Sequence, residues 1–234
     1  MTDERLDPPR SMTTYAVRAP LVRWLREQAE EAHSVIGPYR VLDVGCGTKP
    51  YESIFGPYST SYVGVDPVEN RHAELRGSVE ALPVEDRSFD LVLCNQVLEH
   101  CDDPAQAVRE LMRVTAPGGR VLASTHGVMP YHPSPTDYWR WTHAGLAKLF
   151  LDNGAWASVS VTPASGTTAC VAMIVSINLN LALRRLHLKA LARPLVATLN
   201  GAAEMIDARS TRLRSPGQGG TLFANFHVLA QVTA

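Results

Sequence analysis

The chain has 234 residues, of which 45% are hydrophobic and 19% charged. This composition predicts a globular domain able to build a core rather than a disordered chain. The formal net charge of −1 creates no field that favours nucleic acid or an acidic membrane surface, so nucleic acid is disfavoured as a partner, although a local basic groove stays compatible with this charge.

The four cysteines, Cys46, Cys94, Cys101 and Cys170, form no C-x-x-C pair. Their spacing fits neither a zinc site nor a dense disulfide framework, so we expect free thiols in a reducing cytoplasm. The polar N-terminus has no apolar run typical of a signal peptide, and residues 1–12 are predicted to be a disordered leader. These features predict a cytoplasmic protein.

In chain order, hydrophobic periodicity and turn residues predict helices and strands that alternate. The predicted helices cover residues 13–32, 104–114, 142–151, 169–183 and 194–208. The predicted strands cover residues 39–44, 62–66, 89–94, 120–124, 156–161 and 222–232. Asp103 and Thr142 are the expected N-caps, and Pro117–Gly119 is expected to form a tight turn. Alternation of this kind predicts a mostly parallel sheet covered by helices on both faces.

A glycine turn follows the first predicted strand, in the sequence Asp43-Val-Gly45-Cys-Gly47. An acidic residue, Asp66, ends the next strand. Ligands of open α/β sheets bind at the carboxyl ends of the strands, where glycines admit a ligand to the backbone and an acid can accept ribose hydroxyls. Pro50 stands where a dinucleotide-binding turn has its third glycine, which disfavours a nicotinamide-dependent oxidoreductase.

Five segments follow one another in chain order. They are Val41-Leu-Asp-Val-Gly-Cys-Gly47, Tyr62-Val-Gly-Val-Asp66, Glu80-Ala-Leu-Pro83 with Ser88-Phe-Asp-Leu-Val92, Asn95-Gln-Val-Leu-Glu-His100, and Leu111-Met-Arg-Val-Thr-Ala-Pro-Gly-Gly119. In this order they resemble the class I S-adenosylmethionine-dependent methyltransferases, in particular the type 11 methyltransferase-domain group, and the resemblance covers roughly residues 38–162. It implies a Rossmann-like three-layer α/β sandwich with a seven-stranded, mostly parallel sheet, one antiparallel strand and a helical insertion, residues 163–218, before the last strand. Residues 1–37 form a leader and helix, and residues 38–234 the methyltransferase domain.

The resemblance also implies S-adenosylmethionine as cofactor, with S-adenosylhomocysteine as product. Asp43 is expected near the methionine ammonium, Asp66 on the ribose, and Asn95 beside the methionine part. The remaining implied cofactor-binding residues are Gly45, Cys46, Gly47, Pro67, Glu80, Ala81 and Gln96.

Two positions depart from the pattern of the resemblance. Ser78 stands where many relatives have an aspartate that accepts from the adenine amino group. Lys49-Pro50 replaces a more glycine-rich continuation and resembles a subset of bacterial enzymes linked to glycan or natural-product pathways.

The acceptor is expected to lie against residues 124–141, a long segment rich in histidine, aromatic and charged residues. His126 and His132 are the candidate bases, and Asp137 is a candidate base or a partner that orients one of them. Tyr131, Tyr138, Trp139 and Arg140 are the candidate acceptor-binding residues, although Arg140 can instead pair with Asp137 and Trp139 with Trp141 can be core. No metal site is expected, because the histidine spacing matches no known ligand pattern.

The insertion contains an apolar stretch, residues 169–183, followed by Arg184, Arg185, Lys189 and Arg193. An apolar helix followed by cations is compatible with peripheral membrane contact through residues 169–193, at the inner face of the membrane. The alternatives are a lid, a homodimer element, or a buried helical pair.

We therefore expect a methyltransferase that most readily methylates a hydroxyl of a small molecule, sugar or glycan-type acceptor. N- or C-methylation of a natural-product or lipid-like acceptor is the alternative within the enzyme class. A non-catalytic protein that binds S-adenosylmethionine is the alternative outside it.

Overall fold

The computed structural model describes residues 4–131 and 133–234. The helices are α1 (Tyr15–Ile36), α2 (Glu52–Phe55), α3 (Pro104–Val114), α4 (His143–Asp152), α5 (Thr167–Arg185), α6 (Lys189–Arg209) and α7 (Thr211–Arg214). The strands are β1 (Tyr39–Val44), β2 (Ser59–Asp66), β3 (Leu75–Arg76), β4 (Phe89–Asn95), β5 (Thr115–His126), β6 (Trp156–Pro163) and β7 (Asn225–Val232).

The strands form one seven-stranded sheet in the order β3-β2-β1-β4-β5-β7-β6. The pairs β3–β2, β2–β1, β1–β4 and β4–β5 are parallel. Strand β7 runs antiparallel to β5, because Gly118 near the start of β5 donates to Thr233 beyond the end of β7, while Gly127 after β5 donates to Ala224 before β7. The predicted fold class, a mostly parallel α/β sheet with one antiparallel strand, is confirmed.

The strand order reverses between β1 and β4, which is the position where open α/β sheets bind ligands. Both strands are almost entirely buried apolar runs, as strands covered on two faces require. Their carboxyl ends, together with the end of β2, bring Asp43, Asp66 and Asn95 to the same edge of the sheet.

The predicted helix caps are confirmed. The Asp103 side chain accepts from Gln106 N at 3.0 Å, with Pro104 in the first turn of α3, and Thr142 Oγ1 accepts from Gly145 N at 3.0 Å at the start of α4. Each cap satisfies a backbone donor that the first turn of a helix leaves open.

Several predicted boundaries were wrong, among them the end of α1, the start of β2 and the following three. Residues 117–119 lie inside β5, which starts at Thr115 and absorbs them through a register shift opposite β4. Helix α6 starts at Lys189 and contains Pro194. Because Pro194 has no N–H, the carbonyl of Ala190 loses its usual donor, and the helix tolerates this because both residues are exposed and water can hydrate that carbonyl. Strand β7 starts late because the amides of residues 221 and 222 donate to Thr167 Oγ1.

The prediction of a disordered leader was wrong for residues 4–12, and residues 1–3 lie outside the described part of the chain. Met12 N donates to Pro9 O at 2.8 Å, and the buried Asn200 amide donates to Arg10 O and Met12 O at 2.7 and 2.9 Å. Asn200 is 190 positions away from Arg10 along the chain. No local sequence signal could therefore reveal that this segment is held.

The chain divides into two compact units. The core unit comprises residues 24–126, 131–162 and 227–234, and the hairpin unit comprises the chain up to Arg23 with residues 127–130 and 163–226. In the hairpin unit, α5 and α6 pack side by side, and α5 buries Ala169, Cys170, Ala172 and Met173 in an apolar cluster. By length and composition α5 could also cross a membrane, with a mean hydropathy of 1.4, although 28% of that stretch is buried inside the protein.

The cap of α3 gives a test of the fold. We expect Asp103→Ala to lower the free energy of unfolding by about 1 kcal/mol, because Gln106 N loses its acceptor. Asp102→Ala is the matched control, since Asp102 is adjacent, exposed and outside the cap. Urea unfolding monitored by circular dichroism measures both variants, and equal losses in the two would contradict the capping role.

Candidate functional site

The turn after β1 depends on two glycines in the left-handed backbone region. Gly45 and Gly47 have φ of 67° and 53°. A side chain at residue 45 would also place its Cβ 2.5 Å from Cγ2 of Val97, so the turn and the loop after β4 meet only because Gly45 has none. The carbonyl of Val65 accepts from the amides of Gly45 and Cys46 at 2.8 and 3.1 Å, which ties the turn to β2.

Asp66 lies buried at the end of β2, beside this turn. Its Oδ2 accepts from Gly47 N at 3.1 Å and its Oδ1 from Val68 N at 3.2 Å. Asn70, which the sequence interpretation did not single out, donates from Nδ2 to Gly47 O at 2.6 Å and to Asp66 Oδ2 at 3.1 Å. Asn70 therefore locks the predicted ribose acceptor to the predicted glycine turn.

Asp43 is buried at the end of β1, and its Oδ2 accepts from the Tyr62 hydroxyl at 2.7 Å. Burial raises the pKa of Asp43 to about 7, against the opposing effects of the Tyr62 hydrogen bond and the Lys49 charge. Burial and the neighbouring Asp43 carboxyl also raise the pKa of Tyr62, which stays protonated as a donor. A buried carboxyl of this kind is poised to gain from a cation delivered by a ligand.

The unusual Lys49 has a structural explanation. Its side chain is buried, with Nζ 2.5 and 2.6 Å from the two carboxylate oxygens of Glu74 and 5.6 Å from the centre of the Tyr62 ring. Gly64 makes this possible, because a Cβ there would lie 2.6 Å from Lys49 Cε and 2.7 Å from Cys46 Sγ. Burial raises the pKa of the Cys46 thiol to about 12, so Cys46 lines the turn as a neutral side chain.

Asn95 ends β4 next to Asp43. Both polar atoms of its side chain are buried and have no hydrogen-bond partner among the described residues. The neighbouring Gln96 has φ of 59°, and it is held by donating from N to Ser124 O and from Nε2 to Ser124 Oγ, at 2.8 and 3.0 Å. Unpaired buried amide atoms are costly, so their presence indicates a group that a ligand satisfies.

The predicted adenine side is partly occupied by local contacts. Ser78 Oγ donates to Glu80 Oε2 at 3.1 Å, and Glu80 Oε1 accepts from Asp103 N at 2.5 Å. Pro67 and Ala81 are exposed. Glu80 therefore joins the segment after β3 to the start of α3.

A second group of polar residues surrounds Glu99, which is fully buried in the loop after β4. Its Oε2 accepts from Thr125 Oγ1 at 2.8 Å, and its Oε1 lies 3.2 Å from Nε2 of His126. Burial raises the pKa of Glu99 to about 7, against the opposing effect of the Thr125 hydrogen bond. Glu99 lies in the quoted Asn95–His100 motif, but the sequence interpretation assigned it no role.

The predicted acceptor segment is anchored on this group. The amides of Tyr138 and Trp139 donate to Glu99 O at 2.7 and 3.3 Å, and Trp141 N donates to His126 O at 3.0 Å. The carboxylate of Asp137 is buried and forms a bidentate pair with Arg140, at 2.5 and 2.6 Å. This pairing matches the alternative in which Asp137 and Arg140 hold the loop. His132 lies outside the described residues.

Aromatic side chains extend from the same segment. Tyr131, Tyr138 and Trp139 are exposed, and Trp139 stacks on Trp141 with ring centres 5.7 Å apart. Trp139 Nε1 donates to Cys101 O at 2.7 Å, whereas Trp141 Nε1 is buried without a hydrogen-bond partner among the described residues. The edge of the sheet thus carries two groups of residues. One is the glycine turn with Asp43, Asp66 and Asn95, and the other is the Glu99–His126 pair with the aromatic side chains of the segment after β5.

Comparison with known proteins shows what this part of the chain is similar to. A family model described as a methyltransferase domain matches residues 42–123. Malonyl-[acyl-carrier protein] O-methyltransferase of Erwinia pyrifoliae is 36% identical over 126 residues, covering 50% of this chain and 48% of that protein. Residues 42–123 are therefore similar to the methyltransferase domain of the class I enzymes that the sequence resembles.

Two solved structures have the same fold as this chain. The YcgJ protein of Bacillus subtilis matches with a TM-score of 0.52 at 19% identity, covering 91% of this chain and 99% of that one. The 1,6-didemethyltoxoflavin-N1-methyltransferase of Burkholderia thailandensis, crystallised with S-adenosylhomocysteine, gives 0.52 at 16% identity, covering 96% and 87%. The aligned sequence spans less than half the length of the curated relatives that it matches.

S-adenosylmethionine is the cofactor of this class, and the residues present fit it. The Asp43 carboxylate suits its ammonium, Asp66 can accept ribose hydroxyls, and the glycine turn leaves room for backbone contact. The two unpartnered polar atoms of Asn95 are the observation that most directly requires a polar ligand here.

The raised pKa of Asp43 predicts how stability depends on pH. A carboxyl whose pKa is raised to about 7 on folding stabilises the folded state most below its ordinary pKa and loses that contribution as pH rises towards 7. We therefore expect Asp43→Asn to gain stability relative to the wild type as pH rises from about 4 to about 7, measured by urea unfolding at a series of pH values.

Asp90→Asn is the control with the opposite sign. The Arg40 guanidinium, hydrogen-bonded to Asp90, holds the pKa of that carboxyl below its usual range. Its stabilising effect is present at neutral pH and is lost as pH falls, so this variant is destabilised most at neutral pH. The same pH dependence in both variants would contradict the assignment for Asp43.

Proposed function

We propose that this protein transfers the methyl group of S-adenosylmethionine to a hydroxyl of a small-molecule, sugar or glycan-type acceptor. The observation that carries the cofactor half is the convergence of Asp43, Asp66 and the unpartnered Asn95 at the switch point of the sheet. The sulfonium of the cofactor supplies an electrophilic methyl group.

The residues of the cofactor edge act by binding and orientation. Asp43 neutralises the methionine ammonium, and the hydrogen bond from Tyr62 keeps the carboxylate aimed. Asn70 holds Asp66 and Gly47 together, so the ribose acceptor and the turn move as one piece. Fixing the methyl group in line with an acceptor can supply up to about 7–11 kcal/mol of the barrier.

Binding of S-adenosylhomocysteine tests this half of the proposal. We expect calorimetry to show binding to the wild type and a loss of about tenfold to a hundredfold in affinity for Asn95→Leu, because the ligand loses its amide partner. The unfolding free energy of the ligand-free variant should stay equal or rise, since two unpaired buried atoms are removed.

Asn153→Leu is the matched control, because both polar atoms of Asn153 are hydrogen-bonded, to Arg109 and to Leu149 O. It should lose stability and keep its affinity for S-adenosylhomocysteine. Absence of binding by the wild type at millimolar ligand would overturn the proposal.

The Glu99–His126 pair supports a hydroxyl acceptor. An alcohol must lose its proton as its oxygen bonds to the methyl carbon and the sulfur–methyl bond breaks. Because Nε2 of His126 faces the Glu99 carboxylate at 3.2 Å, the proton passes to Nδ1, a buried atom that the acceptor hydroxyl must reach. The Glu99 carboxylate then stabilises the resulting imidazolium. The sequence relative that acts on malonyl-[acyl-carrier protein] is itself an O-methyltransferase, which supports the same choice.

The segment after β5 supplies the acceptor wall in this proposal. Asp137 and Arg140 brace the segment, and Glu99 holds it through its backbone carbonyl as well as orienting His126 through its carboxylate. The exposed faces of Tyr131, Tyr138 and Trp139 are available for stacking on a sugar or a planar acceptor. His132 remains a predicted base outside the described residues.

Turnover of the variants His126→Gln and Glu99→Gln tests the role of His126 as the base. We expect His126→Gln to lower kcat by about 10²–10⁴-fold with unchanged affinity for S-adenosylhomocysteine. Glu99→Gln should also lower kcat, because the carboxylate that stabilises the His126 imidazolium is lost. Methyl transfer from radiolabelled cofactor to a panel of hydroxyl, amine and carbon acids measures both.

His143→Gln is the control, since His143 lies at the start of α4 with Nε2 2.9 Å from Val161 O. It should turn over like the wild type. Unchanged turnover of His126→Gln on amine or carbon acceptors would favour N- or C-methylation. Cofactor binding without turnover on every acceptor would favour a non-catalytic binding protein.

A further inference from the structure

The segment of residues 153–203 contains no aspartate or glutamate, yet it holds Arg184, Arg185, Lys189 and Arg193. The next two acids towards the C-terminus are engaged elsewhere. Glu204 pairs with Arg10 and Arg23, and Asp207 accepts from the amides at the start of α5. The four cations are therefore concentrated where α5 joins α6, with no acid within the segment to balance them.

The hairpin tip, defined as residues 181–195, is also apolar at its surface. Leu181, Leu186, Leu188, Leu191 and Leu195 are each between 44% and 66% exposed. Every residue from 184 to 191 is exposed, so leucines and cations share the surface where α5 joins α6. Exposed apolar clusters of this kind mark interaction sites in soluble proteins.

Three of the cations line one cavity, the basic pocket. Arg184, Lys189 and Arg193 surround a cavity of about 340 Å³ together with Ser11, Thr13 and Asn180. Two guanidinium groups, an ammonium, two hydroxyls and an amide are the donors that recognise a phosphate group. The donors belong to α5, α6 and the segment before α1, so the pocket depends on the folded hairpin unit.

We propose that the hairpin tip docks on an anionic phospholipid bilayer, with a lipid phosphate in the basic pocket and the leucines in the interfacial layer. The combination of exposed leucines with unbalanced cations is the chemistry of such surfaces. A second copy of the chain fits less well, because a two-fold contact through the tip would bring the same four cations together. The proposal is independent of methyl transfer and of the identity of the acceptor.

Vesicle sedimentation of the full chain tests the proposal. We expect binding to phosphatidylcholine vesicles that contain phosphatidylglycerol, little binding to phosphatidylcholine alone, and weaker binding as salt is raised. The triple variant Arg184→Gln, Lys189→Gln, Arg193→Gln should bind about 100-fold more weakly, from about 1 kcal/mol for each charge. The double variant Leu186→Asn, Leu188→Asn should also weaken binding, but the dependence of binding on salt should stay unchanged.

The control variant Arg87→Gln, Lys148→Gln, Arg209→Gln removes the same charge from exposed positions outside the tip. It should bind like the wild type, and circular dichroism should show all variants folded. Equal loss in the two triple variants, or equal binding to neutral vesicles, would overturn the proposal. So would calorimetric binding of inorganic phosphate without vesicle binding, or a dimer in sedimentation equilibrium that Leu186→Asn dissociates.

Discussion

The close approach of the β1 turn to the loop after β4 is the contact on which the site depends. At Gly45 a left-handed backbone and a 2.5 Å approach of Val97 to the position of a Cβ coincide. Any side chain there would push the two loops apart and separate Asp43 from Asn95. The same turn places the Gly47 amide on Asp66, so one backbone conformation fixes the ends of three neighbouring strands. The reversal of strand order creates the crevice between β1 and β4, and Gly45 allows the two loops at its mouth to approach each other.

Sequence reasoning recovered what local patterns encode. The buried strands β1 and β4, the caps Asp103 and Thr142, and the acid at the end of β2 each carry a signal within a few residues. The helix that contains Pro194 shows the limit of such rules, because solvent exposure of the freed carbonyl decides whether a proline ends a helix.

The residues that were missed depend on partners distant in sequence. The role of Glu99 becomes visible only when β5 brings Thr125 and His126 against it. The role of Lys49 becomes visible only when Gly64 leaves room for its side chain and Glu74 pairs with its ammonium group. The N-terminal segment is held by Asn200, across nearly the whole chain. A pattern of single residues contains no information about which of these pairs will meet. The backbone topology creates that information.

Two buried carboxyls, those of Asp43 and Glu99, are in the same electrostatic situation. Burial raises the pKa of each to about 7, so the ionised form of each destabilises the folded protein when no cation faces it. In the proposed reaction each receives one, the cofactor ammonium for Asp43 and the His126 imidazolium for Glu99. Without ligand, the folded protein therefore bears the free-energy cost of two buried carboxylates, and the ligand and the reaction remove this cost. This is expected of sites selected for binding rather than for stability.

The near-neutral net charge conceals an uneven distribution. Subtracting the four cations of residues 153–203 from the formal net charge of −1 leaves −5 for the rest of the chain. An anionic bilayer would therefore attract the residues of the hairpin tip, while the rest of the chain carries net negative charge. The leucines of the tip add short-range contact with the interfacial layer. Composition counted over the whole chain cannot reveal this, because it averages the segment that attracts with the segments that repel.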